Sequence, residues 1–299
     1  MSEISKEEVA LYDRQIRLWG MEAQNRLRTS TVCFIGISAL TLEACKNLVL
    51  AGIGTLILQD PAPITQRDLE VQYYFQSSDL DKPKDQVLAE RLAILNPLVK
   101  IRVEGHKDPK CDVLIVVGTG NIREVEYTTK FIAADSFGLF GYVFVDCLDG
   151  YEFVEQVKGE DGEMQTRLCK AEYKRLSQSL QSSIEGTNVQ RLKRKYPSLA
   201  FIVQALMELT SKQQKISNAI LIKAVGQMLD SRGIPRELVD EATISRVVQS
   251  WDTEFVPCAA VVGGALAQEV LKIVTCKDMP IQNWYTYDAL RGDGITCFL

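Results

Sequence analysis

Residues 31–60 have the pattern of a nucleotide-binding turn. The stretch TVCFIGIS predicts a short buried strand that ends in a turn, and Gly36 stands at the first position where such a turn needs glycine. Ser38 and Thr41 occupy the second and third of those positions. A side chain at the second position stands where the backbone must approach phosphate, and one at the third crowds the helix against the strand. The pattern therefore predicts a nucleotide-binding scaffold whose own phosphate contact is damaged.

Two further residues could contact a nucleotide on this scaffold. Asp60 lies 24 positions after Gly36, at the end of the second predicted strand, where an acidic side chain typically binds a ribose hydroxyl. A turn cap ahead of Pro61 explains the same residue equally well. Lys84 begins a predicted helix, where a positive charge opposes the helix dipole. That placement favours a functional role, and a surface charge cluster remains the alternative.

A different kind of phosphate contact is indicated by Arg14, in the string Tyr12 to Arg17 (YDRQIR). The planar guanidinium group can bridge phosphate oxygens, and an arginine on an amino-terminal arm can reach the nucleotide of a neighbouring subunit. An exposed helix face is the ordinary explanation of two arginines near a helix start. Composition alone leaves both explanations open.

Other catalytic groups are missing where chemistry would need them. The apolar strand CDVLIVVG ends in Thr119-Gly120, without the carboxylate that a magnesium-dependent site needs there, and Asp112 is at the other end of the strand. His106 is the only histidine and lies in a polar stretch, which predicts a solvated loop residue rather than a member of a catalytic triad. The eight cysteines occur without a C-x-x-C pair, so we predict free thiols and no metal site.

Strands alternate with helices along much of the chain, which predicts an α/β fold with a doubly wound, mostly parallel sheet. We assign residues 1–156 and 256–299 to one such domain and 157–255 to a helical insertion or subdomain. YEFVEQVK is predicted to pair through a turn with the strand before it. The predicted helices cover residues 5–28, 39–54, 81–96, 121–137 and 256–276, and the predicted strands cover 31–36, 55–60, 99–105, 111–118, 138–146, 151–158, 284–290 and 294–299.

The last long helix contains Gly263 and Gly264 in its interior. Each glycine costs about 1 kcal/mol of helix stability relative to alanine, and close approach of another backbone would explain both. We expect this helix near a subunit interface.

Bulk composition excludes several classes of protein. The net charge of −5 over 299 residues gives no reason to expect nucleic acid as a partner. The polar amino terminus is not a secretory signal, and no apolar run was expected to approach the roughly 18 residues that span a bilayer. We therefore expect neither nucleic acid nor a membrane as a partner.

Three strings in the chain resemble the activating enzymes of ubiquitin-like proteins. They are YDRQIRLWG at 12–20, KNLVLAGIG at 46–54 and PCAAVVGGALAQEVLK at 257–272. The resemblance covers residues 8–60 and 255–299 and is looser in between. Within the family, the chain is similar to the smaller subunits, without the catalytic cysteine, of the enzymes that activate SUMO.

The resemblance implies an obligate heterodimer with two related adenylation folds. ATP and magnesium would bind to the cysteine-bearing partner, and this chain, inactive in its own pocket, would supply Arg14 to that ATP. Gly36, Asp60 and Lys84 would be remnants, with no cofactor bound by this chain. SUMO, and the SUMO-conjugating enzyme through the complex, would be further partners. The implied location is the nucleus, and also the cytoplasm.

The chain departs from active members of the family at three places. The glycine-rich turn is changed at Ser38 and Thr41, and the metal-binding aspartate is missing at Thr119-Gly120. An expected arginine is missing from the stretch 70–72, which reads Glu-Val-Gln. Three alternatives remain open. One is a self-sufficient nucleotide-binding adenylating or oxidoreductase homodimer, and another is the silent subunit of the NEDD8-activating enzyme, which is longer in its family. The third is a non-enzymatic scaffold that kept the fold. Cys169 is the only cysteine in 157–255, and we do not expect it to be a nucleophile.

Overall fold

A computed structural model describes residues 5–105, 109–120, 122, 126–158, 163–186 and 188–299, so His106 lies outside the described residues. The strands are β1 (Thr31–Ile35), β2 (Thr55–Gln59), β3 (Lys100–Val103), β4 (Val113–Val117), β5 (Lys130–Phe137), β6 (Phe140–Asp146), β7 (Tyr151–Lys158), β8 (Met164–Ala171), β9 (Trp284–Asp288) and β10 (Asp293–Cys297). The helices are α1 (Lys6–Leu11), α2 (Asp13–Thr29), α3 (Ala39–Ala51), α4 (Gln66–Val71), α5 (Lys84–Leu95), α6 (Leu176–Ser179), α7 (Val189–Lys195), α8 (Ser198–Ser211), α9 (Asn218–Ser231), α10 (Glu241–Ser250) and α11 (Val256–Thr275).

An eight-stranded sheet forms the centre of the fold, in the order β10-β9-β6-β5-β4-β1-β2-β3. The run β3-β2-β1-β4-β5 is parallel, and β6, β9 and β10 continue the sheet as antiparallel strands. The order of the parallel run is that of the first five strands of the dinucleotide-binding order 3-2-1-4-5-6. The predicted α/β class and mostly parallel sheet are therefore confirmed.

Both faces of the sheet are covered by helices, because the central strands are apolar on both sides. Val32 and Phe34 of β1 pack into a core shared with α3, α5 and α11. Cys33, between them, points to the other face and joins a core shared with α8, α9 and α10. The fold is thus doubly wound, as predicted, with β1 in the middle of two cores.

The helix predicted over 121–137 is wrong: residues 130–137 are strand β5, and the described residues before them, 122 and 126–129, are not helical. The strand pairs with parallel β4 on one side and with antiparallel β6 on the other. Its residues are buried on both faces, and a short apolar run of this kind cannot be told from a buried helix by periodicity alone. Residues 121 and 123–125 of the prediction lie outside the described part of the chain.

The segment 157–255 is only partly helical. Strand β7 pairs with β8 in a separate two-stranded sheet, so the predicted pairing of β7 with the preceding strand is wrong and residues 164–171 are not helix. From α6 onward the segment is mainly helical, and Phe201 in α8 shares a core with Phe144 in β6. These helices therefore form the second layer on the main sheet. The proposed domain boundaries themselves stay a prediction.

Helix α11 is a core helix of unusual apolarity. By length and composition alone it could cross a membrane, contrary to the expectation that no apolar run is long enough. Of its most apolar stretch, 61% is buried inside the fold. Buried helices of soluble folds have the same composition. It packs along α3, and Gly263 lies at the contact: a Cβ there would stand 2.8 Å from the carbonyl oxygen of Leu40. A Cβ on Gly264 would meet nothing within 4 Å.

The two adjacent glycines provide a matched pair of variants. Gly263→Ala should lower the free energy of unfolding by about 1–3 kcal/mol, because the added methyl group forces α11 away from α3. Gly264→Ala adds the same group in open space and should raise stability by up to about 1 kcal/mol through helix propensity. Urea unfolding of the two variants measures both effects. Equal stability of the two would contradict the close contact at Gly263.

Candidate functional site

The turn after β1 is held by side chains where a phosphate-binding turn would use glycine. Gly36 adopts a positive φ of 91°, and its N–H donates to the carbonyl oxygen of Gln59 at 3.0 Å. Thr41 is fully buried, its Oγ1 donating to the carbonyl of Gly36 at 2.9 Å and accepting from the N–H of Ser38 at 3.2 Å. The hydroxyl of Ser38 is buried without a hydrogen-bond partner in the described structure. The side chain of Thr41 therefore fits in the turn because its hydroxyl group forms hydrogen bonds with the backbone of the turn itself.

Asp60 lies at the carboxyl end of β2, beside this turn. Its carboxylate accepts from the N–H of Ile37 at 2.8 Å and from that of Ala62 at 3.2 Å. The side chain predicted as a ribose ligand therefore caps two turns of this chain. Both of its oxygens are occupied by backbone donors.

A carboxylate occupies the amino terminus of α3, where a nucleotide-binding fold places phosphate. Oε2 of Glu254 accepts from the N–H of Ala39 at 2.7 Å. Burial raises the pKa of Glu254, and the negative charges of Asp135 and Asp68 act in the same direction. The hydrogen bond from Ala39 and the charge of Lys84 oppose that rise. Glu254 thus takes the favourable contact with the helix dipole that a phosphate group would take.

Lys84, predicted to lie near phosphates, is held by an internal carboxylate. Its Nζ lies 2.6 Å from Oδ1 of Asp68, and the side chains are 15% and 7% exposed. Burial acts to raise the pKa of Asp68, but hydrogen bonds from Lys84 and Thr65, together with the lysine charge, hold it below its usual value. Lys84 is therefore committed to stabilising a buried aspartate.

A carboxylate that the sequence analysis missed stands beside Thr119, at the end of β4. Asp135 on β5 accepts from both the N–H and the hydroxyl of Thr119, each at 2.7 Å, and from the N–H of Ser136 at 2.8 Å. Burial raises the pKa of Asp135, and the bonds from Thr119 and Ser136 oppose the rise. Asp112, at the other end of β4, accepts from the N–H of Thr31 at 2.7 Å.

One cavity of about 400 Å³ at the carboxyl edge of the parallel strands is lined by Ser38, Asp68, Lys84, Asp135 and Glu254. Its charged lining residues are four carboxylates and two cations. The cation Arg67 is paired with Asp252 at 3.2 Å, as Lys84 is with Asp68. The four acidic residues are Asp68, Asp135, Asp252 and Glu254, and the two basic residues are Arg67 and Lys84.

The charged side chains of this cavity that are not in ion pairs are acidic. Two carboxylates remain after the ion pairs are counted, and one of them blocks the helix terminus. Like charges in a partly buried site repel strongly. Of the lining residues described, none offers an unpaired cation for phosphate.

Arg14 lies away from this cavity. Tyr12, two residues before it, packs on Gly52, where a Cβ would come within 2.5 Å of the Tyr12 ring, and the Tyr12 hydroxyl accepts from Asn96 at 2.8 Å. Gly52 ends α3, and Ala39 at the other end of this 13-residue helix faces the cavity. The helix rise of 1.5 Å per residue separates its two ends by roughly 18 Å.

The side chain of Arg14 is exposed, and no hydrogen bond or ion pair joins it to another described residue. Arg17, one turn later, is paired with Asp13 at 2.9 Å. The helix then kinks at Gly20, whose φ is 86°. The string 12–20 therefore ends in a backbone kink, and it presents to solvent one guanidinium, that of Arg14, without a partner among the described residues.

The predicted interface glycines differ in their surroundings. Gly263 is buried against α3 of the same chain, so its close contact is internal and does not need a second subunit. Gly264 is half-buried beside open space. An interface role for Gly264 stays a prediction.

Comparison with known proteins assigns this fold and site to a family. The model of the ThiF family matches residues 12–298, and the chain belongs to that family. It is a homologue of SUMO-activating enzyme subunit 1: it is 30% identical to the human protein over 98% of this chain and 95% of that one, and 31% identical to the mouse protein over 96% and 92%. It is also 29% identical to the DNA damage tolerance protein rad31 of Schizosaccharomyces pombe, over 97% and 96% of the two chains.

Solved structures share the fold at low sequence identity. PaaA aligns with a TM-score of 0.58 and 15% identity, over 98% of this chain and 84% of that one. Escherichia coli MccB aligns with a TM-score of 0.57 and 15% identity, over 98% and 70%. Together with the sequence relatives, these matches indicate an activating enzyme for a ubiquitin-like protein. The family resemblance seen in the sequence is confirmed.

The pKa of Glu254 yields a prediction about pH. A carboxyl group whose pKa is raised on folding stabilises the folded state less as pH rises from the ordinary glutamate value through the raised one. Glu254→Gln keeps an acceptor for Ala39 and removes the charge, so the wild type should lose stability relative to this variant over that range. Denaturant unfolding at a series of pH values tests this. Exposed Glu90→Gln on α5 is the control, and a constant difference between wild type and Glu254→Gln would refute the expectation.

Proposed function

We propose that this chain is the non-cysteine subunit of a heterodimeric SUMO-activating enzyme, inactive in its own pocket and supplying Arg14 to the ATP of the partner. The names of the relatives support SUMO activation and imply a second, catalytic subunit. The chain spans more than nine-tenths of those relatives. SUMO, and the conjugating enzyme through the complex, are the further partners in this proposal, and the nucleus is the proposed location, with the cytoplasm as a second site.

Inactivity of the pocket is supported by its charges. The carboxylate of Glu254 already accepts from the helix terminus, and Lys84 already neutralises Asp68. To admit a triphosphate, the site would have to expel one carboxylate and break a part-buried ion pair. ATP and magnesium therefore belong, in this proposal, to the partner subunit.

The observation that carries the proposal is the position of Arg14. It is exposed, it has no partner among the described residues, and it lies at the far end of α3 from the acidic cavity. An arginine in that position cannot serve its own pocket. It is free to enter the site of a second subunit that packs against this end of the molecule.

The reaction gives Arg14 a defined task. The carboxylate of the modifier's terminal glycine attacks the α-phosphorus of ATP, the bond to the bridging oxygen breaks, and pyrophosphate leaves. Negative charge grows on the phosphate oxygens, and a guanidinium placed from outside the pocket stabilises it. A cysteine thiolate of the partner then displaces AMP from the acyl adenylate to form the thioester.

Replacing the arginine tests the proposal. Arg14→Ala should slow ATP–pyrophosphate exchange by the reconstituted heterodimer by about a thousandfold, which is the scale of an arginine supplied in trans. Assembly, measured by size-exclusion chromatography with light scattering, should not change. Arg17→Ala is the matched control, because it removes a surface-paired arginine from the same helix and should have little effect. Exchange by Arg14→Ala at the wild-type rate would refute the proposal.

A further inference from the structure

A second and larger cavity lies on the face of the sheet that α8 to α10 cover. Its volume is about 950 Å³, and it is lined by Thr119, Ile122 and Tyr127 together with residues of helices α6 and α8. Leu176, Leu180 and Met207 supply apolar wall. Cavities of this size and mixed lining hold small organic ligands in other proteins.

One cation in the wall has no carboxylate partner. Arg232, just after α9, donates from Nη1 to Oε1 of Gln204 at 2.7 Å and forms no ion pair within the described residues. Burial lowers the pKa of Arg232, while the charge of Glu208 opposes that change. Glu208 is itself hydrogen-bonded to Lys212 at 2.5 Å. The guanidinium is therefore part-buried, and among the described residues its hydrogen-bond acceptor is a neutral amide.

The amide that meets Arg232 leaves its own donor unused. Gln204 is 2% exposed, and because a guanidinium can only donate, its oxygen must face Arg232. Its Nε2 then points elsewhere and has no hydrogen-bond partner in the described structure. A buried donor without an acceptor is unfavourable, so the described residues of the site leave a position for an acceptor group.

The other charged side chains of the wall do not supply that acceptor. Arg175 lies 3.6 Å from Asp146 and over the ring of Tyr127, with 5.1 Å between the guanidinium carbon and the ring centroid. The remaining carboxylate in the wall, Glu126, is exposed and forms no ion pair with a described residue. A single unpaired arginine beside a single free amide donor suits a head group of one negative charge.

We propose that this cavity binds a small molecule with a carboxylate head and an apolar body. The carboxylate would accept from Arg232 and from Nε2 of Gln204, and the body would lie against Leu176, Leu180 and Met207. The planar fork of arginine matches a carboxylate in two hydrogen bonds. This site is separate from the acidic cavity and does not depend on SUMO activation.

Calorimetric titration of the full chain with 4-phenylbutyrate tests the proposal. Saturable one-to-one binding is expected, together with a shift of the Met207 methyl resonance, assigned through Met207→Leu. The neutral analogue 4-phenylbutanol and the dianionic phenethyl phosphate should bind at least about tenfold more weakly. Arg232→Gln should weaken phenylbutyrate binding at least about tenfold, and exposed Arg194→Gln, with the same change of charge, should not.

Gln204→Leu keeps the buried volume and removes the amide donor, so it should weaken binding even if Arg232→Gln fails to fold. Thermal unfolding establishes which variants are folded. No saturable binding, equal binding of the alcohol, or equal affinity of the Arg232→Gln and Arg194→Gln proteins would overturn the proposal. Tighter binding of the phosphate ester would overturn the choice of a carboxylate.

Discussion

The hydrogen bond from Ala39 to Glu254 is the constraint on which the rest of the site depends. A helix amino terminus at the carboxyl edge of a parallel sheet has unpaired N–H groups and a positive dipole, and it requires a negative group. In nucleotide-binding relatives of this architecture, phosphate is that group. Here a carboxylate from the same chain fills the position. Its burial beside Asp68 and Asp135 makes the cavity acidic, so the basic residues nearby are used in internal ion pairs.

Helix α3 links this closed cavity to the surface that carries Arg14. One end of the helix holds Glu254, and the other packs against Tyr12 through Gly52. The acidic cavity and the amino-terminal segment that carries Arg14 therefore lie at opposite ends of one helix. That separation explains why a degraded turn is compatible with an intact scaffold.

The features of the fold and site that depend on local sequence pattern and composition were predictable from the sequence. The apolar strand before Gly36 and the missing glycines at Ser38 and Thr41 already indicated a sheet with a damaged phosphate contact. Glu254 could not be identified, because it lies 215 residues from Ala39 and only the tertiary fold brings them together. Asp135 was not predicted as a site residue, because its strand was assigned to a helix. Helices α8 to α10 were predicted to form an insertion, because no local sequence pattern shows that they cover a face of the main sheet.

Photolabelling with an ATP analogue that bears an azidoanilide on the γ-phosphate tests the central claim most directly. The reconstituted heterodimer is labelled, digested and mapped by mass spectrometry, with excess ATP as the competitor. The account predicts label on the partner and, on this chain, within residues 12–20 around Arg14. Label on residues 36–41, 60–84 or 251–254, or none near Arg14, would contradict it.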